Sequence, residues 1–253
     1  MTNRPALRSA PREAIRSLED LERCLAAAAA FRSAHRRPFV VLSYAQSVDG
    51  SIAGPNRERI QLSSPESMRL THGIRSLCEG ILVGIGTVLA DDPRLAAFDG
   101  AGRQPRPVVL DTRLRTPLAA RLVQRPDTRP WLIHRHHLPD ARIRQLREAG
   151  ATPMPCTPGP DGRIDLSALM QLLCKHGINS LMVEGGARVI TSFLRCRLAD
   201  LLVVTVSPQF VGGLPVLDPA DAAGALRVRL QEAAYHPSGP DVIVWTRPQW
   251  EPQ

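Results

Sequence analysis

The sequence predicts one α/β domain built on a mostly parallel sheet, and three observations carry that reading. Short apolar runs alternate with helix-period segments from the first strand near Phe39 to Val206. Two of these runs, Ile81-Leu82-Val83 and Leu181-Met182-Val183, pass at once into glycine turns, Gly84-Ile85-Gly86 and Gly185-Gly186. Buried strands that deliver a ligand loop at their carboxyl ends have this form. The segments Leu226–Ala234 and Val242–Trp245 read as terminal antiparallel strands.

A chain of 253 residues buries a substantial core as one large domain or as two small ones, and the unbroken strand and helix alternation favours one. The expected division is a helical extension over residues 1–37 and a catalytic domain over 38–250.

Taken in order, Pro11 to Ala34 predicts one amphipathic helix, because Ile15, Leu18, Leu21, Leu25 and Ala28 are spaced by three and four. Phe39–Gln46 is apolar enough to be a central strand, and it delivers the polar, glycine-bearing loop Ser47–Gly54. Ser63-Ser64-Pro65-Glu66 is a serine cap with proline at the first helical position, and its helix runs through Arg75 to Leu77. After the strand at Gly80, Thr87 stands where a helix N-terminus begins, with Asp91 and Asp92 close behind. Gly84, Gly86 and the Thr87 hydroxyl suit a phosphate oxygen. The turn reads equally as a plain structural one, since Leu89 stands where a dinucleotide-binding fingerprint needs its third glycine.

Pro107–Asp111 is a further strand, followed by Thr112, Arg113 and Arg115. These suit the 2′-phosphate that distinguishes NADPH from NADH, or they are solvated loop charge. Pro130–Ile133 is a strand, Asp140–Ala149 a helix, Ala151–Pro155 a weak edge strand, and Asp165 caps a helix through Lys175. Glu184 ends the apolar run before Gly185 and Gly186, as a site carboxylate or as surface decoration. It is expected to serve turnover and to be dispensable for folding.

Composition narrows the function. Five cysteines without a C-x-x-C pair argue against a disulfide framework. The cluster His134 to His137 lacks a Cys or Glu at ligand spacing, so no metal is expected. The net charge of +8 comes from arginine far more than lysine and is spread along the chain without interleaved aromatics. That pattern fits phosphorylated small molecules better than nucleic acid, and it also suits a GC-rich genome. No run nears the ~18 apolar residues of a membrane span, and Arg4 and Arg8 are followed by further charge where a secretory signal would be apolar. The chain is expected to be cytoplasmic.

The segments Tyr44-Ala45-Gln46-Ser47-Val48-Asp49-Gly50, Ile81 to Pro93 and Val183-Glu184-Gly185-Gly186 follow one another in the order and spacing of a known family. From about Pro38 to Gly213 the chain resembles the reductase domain of bacterial riboflavin biosynthesis and its stand-alone archaeal and fungal relatives. The resemblance implies a dihydrofolate-reductase-like fold with a mixed, mostly parallel sheet between helix layers, a homodimer, and NADPH-dependent reduction of a phosphoribosylamino-pyrimidine from ribosyl to ribityl. It implies that Gly84, Gly86, Thr87, Gly185 and Gly186 hold the cofactor pyrophosphate, and that Asp49, Asp91, Ser64, Arg75, Leu95 and Glu184 face the substrate. Ser43 takes a substrate position that is lysine in bifunctional members. Phe98 stands where most members have a phosphate-binding basic residue, with Arg94, Arg103 or Arg106 as substitutes. The alternatives are a same-fold reductase of another C=O or C=N compound and a catalytically silent nucleotide-binding relative.

Overall fold

The computed structural model describes residues 14–98, 103–218 and 226–250. In chain order its strands are β1 (Phe39–Ser47), β2 (Ser51–Ala53), β3 (Gly80–Gly84), β4 (Arg106–Leu110), β5 (Trp131–His134), β6 (Thr152–Pro155), β7 (Ser180–Val183), β8 (Leu201–Ser207), β9 (Leu214–Pro215), β10 (Val228–Ser238) and β11 (Asp241–Trp250). The helices are α1 (Leu18–Ala26), α2 (Ala28–His35), α3 (Pro65–Leu77), α4 (Ile85–Asp91), α5 (Asp140–Glu148), α6 (Leu166–Lys175) and α7 (Ala187–Arg195).

Nine strands form one sheet in the order β10-β11-β8-β1-β7-β3-β4-β5-β6. Every pairing from β8 to β6 is parallel, and β11 and β10 close the other side antiparallel. This is the mixed, mostly parallel sheet expected, with β6 at its edge. The inner strands are continuous apolar runs because each faces a helix layer on both sides. Val40, Leu42, Leu181 and Val183 pack towards α6 and α7, while Phe39, Val41 and Met182 pack with Leu21 of α1 and Ile74 of α3. Ile81, Val83, Val109 and Leu132 meet Val88 of α4 and Leu146 of α5.

Two elements depart from the sequence reading. The single N-terminal helix is two helices, broken at Ala27, which leaves the α region for φ −93° and ψ 5°. Ser17 caps α1 by accepting from the Asp20 amide, so α1 begins later than Pro11; residues 1–13 lie outside the described range. The C-terminal strands are also longer than their apolar patterns suggest. They pair from Val228↔Trp250 to Ser238↔Asp241, with an irregularity between Gln231 and Ala234. Leu230 and Tyr235 of the outer strand are exposed, so burial leaves no alternation there to read.

Leu21 is fully buried and ties α1 to the sheet. Leu21→Ala is expected to lower stability by about 2–4 kcal/mol through the cavity it leaves. Urea unfolding followed by circular dichroism measures this; an unmoved midpoint would mean that α1 adds nothing to the folded body.

Candidate active site

A cleft of about 1610 Å³ opens at the carboxyl ends of β1, β3, β4 and β7, lined there by Ser43, Tyr44, Gly84, Leu110 and Glu184. Parallel strands end together here, which leaves their following loops to form the walls. Two helices start side by side on its floor. Gly84 is the N-cap of α4 and Gly186 that of α7, and neither helix has a side-chain cap. A Cβ placed on Gly186 would lie 3.8 Å from Thr87 Oγ1, and one on Gly84 would lie 3.0 Å from Val189 Cγ2. The initial N–H groups of both helices therefore have no side-chain cap, and both starts line the cleft. The helix after β3 starts two residues before Thr87, which places Gly86 inside its first turn. Gly86 is exposed, and an added Cβ there would meet nothing within 4 Å. Gly185 has a different reason to be glycine, since a Cβ would strike Val189 Cβ at 2.2 Å. It lets α7 start directly against β7.

Arg75 and Glu184 meet across the cleft as one unit. Arg75 Nε donates to Glu184 Oε1 at 2.7 Å and Nη2 to Oε2 at 2.6 Å, and the two side chains are only 15% and 16% exposed. Arg75 Nη1 also donates to the Ala96 carbonyl at 3.1 Å. Burial opposes the guanidinium charge, but Glu184 more than restores it, so the Arg75 pKa lies above its ordinary value. Glu184 is thus the counter-charge of a mostly buried Arg75, so its carboxylate has a structural partner as well as a place on the cleft.

The remaining expected residues divide by position. Ser43, Gly84, Gly86, Thr87, Asp91, Leu95, Thr112, Gly185 and Gly186 line the cleft with Arg75 and Glu184. Burial raises the Asp91 carboxyl above the usual range, with Arg59 acting in the opposite sense. Tyr44 also faces the cleft, and burial pushes its phenol up to about 12. Asp49 does not line the cleft. Its carboxylate accepts from the Ser47 and Ser51 hydroxyls and from the amides of Val211 at 3.0 Å and Gly212 at 2.8 Å, which ties two loops together and holds its pKa well below the usual range. Ser64 also lies off the cleft, because its hydroxyl caps α3 by accepting from the Ser67 amide. Arg113 is exposed and is not among the residues lining the cleft, whereas Arg115 lines it. That turn is braced by buried Asp111, which accepts from the Arg115 and Thr116 amides, and by Arg142, which donates to the carbonyls of Leu114 and Thr116.

Phe98 stacks on His72, ring centroids 4.7 Å apart. Arg103 pairs with Glu79, and Arg106 donates to the Arg129 carbonyl, so neither substitutes for a base at position 98. Arg94 does line the cleft, with Arg57, Arg59, Arg115 and Arg121. Sequence reading missed Arg57, Arg59 and Arg121, whose loops carry no periodicity, and it missed the buried Arg125. Among the described residues no group of three or more His, Cys, Asp or Glu side chains could hold a metal, and no helix is long and apolar enough to cross a membrane.

The family model of the RibD C-terminal domain matches residues 38–244. The chain belongs to this family. A family protein of Methanothermobacter thermautotrophicus, named 2,5-diamino-6-ribosylamino-4(3H)-pyrimidinone 5′-phosphate reductase, is 36% identical over 216 residues, which cover 82% of this chain and 97% of that protein. One of the same name from Archaeoglobus fulgidus is 34% identical over 187 residues, 70% of this chain and 83% of the relative. Among solved structures, the Saccharomyces cerevisiae riboflavin biosynthesis reductase Rib7 is similar with a TM-score of 0.68 at 29% identity, covering 84% of this chain and 90% of that one. Acinetobacter baumannii RibD shares the fold with a TM-score of 0.73 at 23% identity; the match covers 87% of this chain and 60% of that longer one.

Within this RibD-type domain, Glu184→Gln keeps one acceptor for Arg75 but removes the opposing charge. A loss of about 2–3 kcal/mol of stability is expected, the scale of a charged hydrogen bond in a mostly buried site. Calorimetric melting of the variant beside the parent protein tests it, and equal melting temperatures would show that Arg75 needs no counter-charge.

Proposed function

We propose that this chain is an NADPH-dependent reductase of 2,5-diamino-6-ribosylamino-4(3H)-pyrimidinone 5′-phosphate, converting its ribosyl group to a ribityl chain. The observation that carries the reading is that one cleft joins two uncapped helix starts to a wall of arginines, in a chain whose relatives bear that name. A dinucleotide and a sugar phosphate bring phosphates to two places, and the cleft has a feature for each.

The residues fit the cofactor, since the space above Gly86 admits a phosphate that a side chain would fill. Gly84, Gly86, Thr87, Gly185 and Gly186 would hold its pyrophosphate, and Thr112 with Arg115 its 2′-phosphate. When bound, the reduced nicotinamide supplies the hydride. The chain's own residues supply position and charge. Arg75 fixes the Glu184 carboxylate beside the sugar, where it steadies positive charge on the opened sugar's C=N group. Asp91, its carboxyl raised by burial, and Tyr44, which stays protonated at neutral pH, are the groups from this chain that can hold or pass a proton. A same-fold reductase of another C=O or C=N compound is favoured by Phe98 alone, which places an apolar ring where most members offer a cation.

Incubation with NADPH and the pyrimidinone phosphate should consume the reduced nicotinamide absorbance. NADPH should bind at least about tenfold more tightly than NADH, the effect of one charge-assisted contact of about 1.5–3 kcal/mol from Arg115. Fluorescence titration gives both dissociation constants. Turnover of other carbonyl compounds with none of this substrate would favour the second reading, and equal constants would remove the assignment of Arg115.

The reading includes a homodimer. Leu230, Tyr235 and Val242 are exposed on the C-terminal hairpin, whose β10 is the open edge of the sheet. Multi-angle light scattering at micromolar concentration is expected to return twice the chain mass of 27.7 kDa.

A further inference from the structure

The run Pro93 to Ala97 forms one wall of the cleft, and its backbone is held in a form that its sequence does not favour. Leu95 sits at φ +52°, in the left-handed region where a leucine side chain crowds its own carbonyl. The residue is 3% exposed and in the core, so the conformation is set by its surroundings. Its side chain packs in the core, and two arginines hold the backbone around it. Arg125 Nη1 donates to the carbonyls of Arg94 at 3.2 Å and Leu95 at 2.6 Å, and Arg75 Nη1 donates to the next carbonyl, that of Ala96. Gln104 Oε1 then accepts from the Ala97 amide at 3.1 Å and from Arg125 Nη2 at 3.3 Å.

The two arginines are arranged alike. Each uses one edge for the wall's carbonyls and the other for a carboxylate that itself lines the cleft: Glu184 for Arg75 and Asp127 for Arg125. The Arg125 side chain is 1% exposed, so it does not touch a ligand. An arginine suits the place because its planar fork serves three directions at once, which the point charge of a lysine cannot. We infer that Arg125 is a positioning residue for substrate binding, holding the Arg94–Leu95 backbone in its left-handed turn, with the Leu95 side chain in the core, so that the exposed Arg94 lines the cleft. The inference rests on the proposed reading of the cleft as a substrate site.

Arg125→Met and Arg125→Lys test it, each assayed with NADPH and the pyrimidinone phosphate at a temperature well below its own melting point. Arg125→Met is expected to raise KM for the pyrimidinone phosphate about tenfold or more, with kcat within about threefold of the parent and an unchanged dissociation constant for NADPH. The lysine variant keeps the charge beside Asp127 and should recover part of the KM. Hydrogen exchange at the Ala97 amide should quicken in Arg125→Met, because the Gln104 acceptor loses its anchor. A lowered melting temperature with unchanged KM would overturn the inference and leave Arg125 a merely structural residue, as would a fall in kcat with KM unmoved. If the parent protein does not turn over this substrate, the proposed function fails by itself. The exchange rate at Ala97 and the NADPH constant then decide Arg125: unchanged exchange refutes it, and quickened exchange with intact NADPH binding supports it.

Discussion

The cleft depends on one ion pair. Arg75 on the last turn of α3 and Glu184 at the end of β7 are 109 residues apart in sequence, and their contact fixes the helix layer against the carboxyl edge of the sheet. Each member alone would be a charge out of water, and the desolvation of such a group exceeds what any single neutral hydrogen bond returns. Together they compensate one another, and the third face of Arg75 is left for the Ala96 carbonyl. Cys78, three residues beyond Arg75, is fully buried, and burial with the nearby Glu184 charge pushes its thiol up. It is an inert, packed thiol.

The glycines of the two turns divide the remaining work. Gly185 is required by packing, because Val189 of the following helix occupies the space a side chain would need. Gly86 is under no such demand, since an added Cβ there would meet nothing within 4 Å. A pair of neighbouring turns that look alike in sequence therefore differ in packing, one filled by protein and one open. The short approach between Gly186 and Thr87 brings both helix starts to one point, so their partial positive charges act on the same volume.

Much of this was legible in the residues. Apolar runs that end in glycine located β3 and β7, and the serine cap with Pro65 located α3 to the residue, because those signals are local and chemical. The N-terminal break at Ala27 left no mark, since an alanine favours helix; the two helices it separates pack Leu21 and Phe31 into one cluster. Asp49 and Ser64 show a related limit of sequence reading. A carboxylate or hydroxyl after a strand satisfies loop amides as readily as it faces a substrate, and only the structure brings out the four donors around Asp49 and the Ser67 amide at Ser64. Arg125 was unreadable because its carbonyl partners lie 30 and 31 residues back, in a wall whose shape no pattern announces.

The same division explains the charge. A net +8 reads in the sequence as one field, yet the structure separates the arginines that produce it. Arg37 holds Asp200 with both terminal nitrogens, Arg75 holds Glu184, Arg125 holds Asp127, and Arg142 closes the Leu114 to Thr116 turn. Their charges are offset at once by carboxylates or spent on carbonyls, and they contribute shape more than attraction. Arg57, Arg59, Arg94, Arg115 and Arg121 are exposed around the cleft, with Asp91 and Asp127 on its lining and Glu58 and Asp92 beside them. At the far end Arg163 and Arg188 are paired with Asp161 and Asp218, so the field falls away there. Five exposed arginines are thus gathered around one cleft, and the wall carrying Arg94 stands there because buried Arg125 holds its backbone.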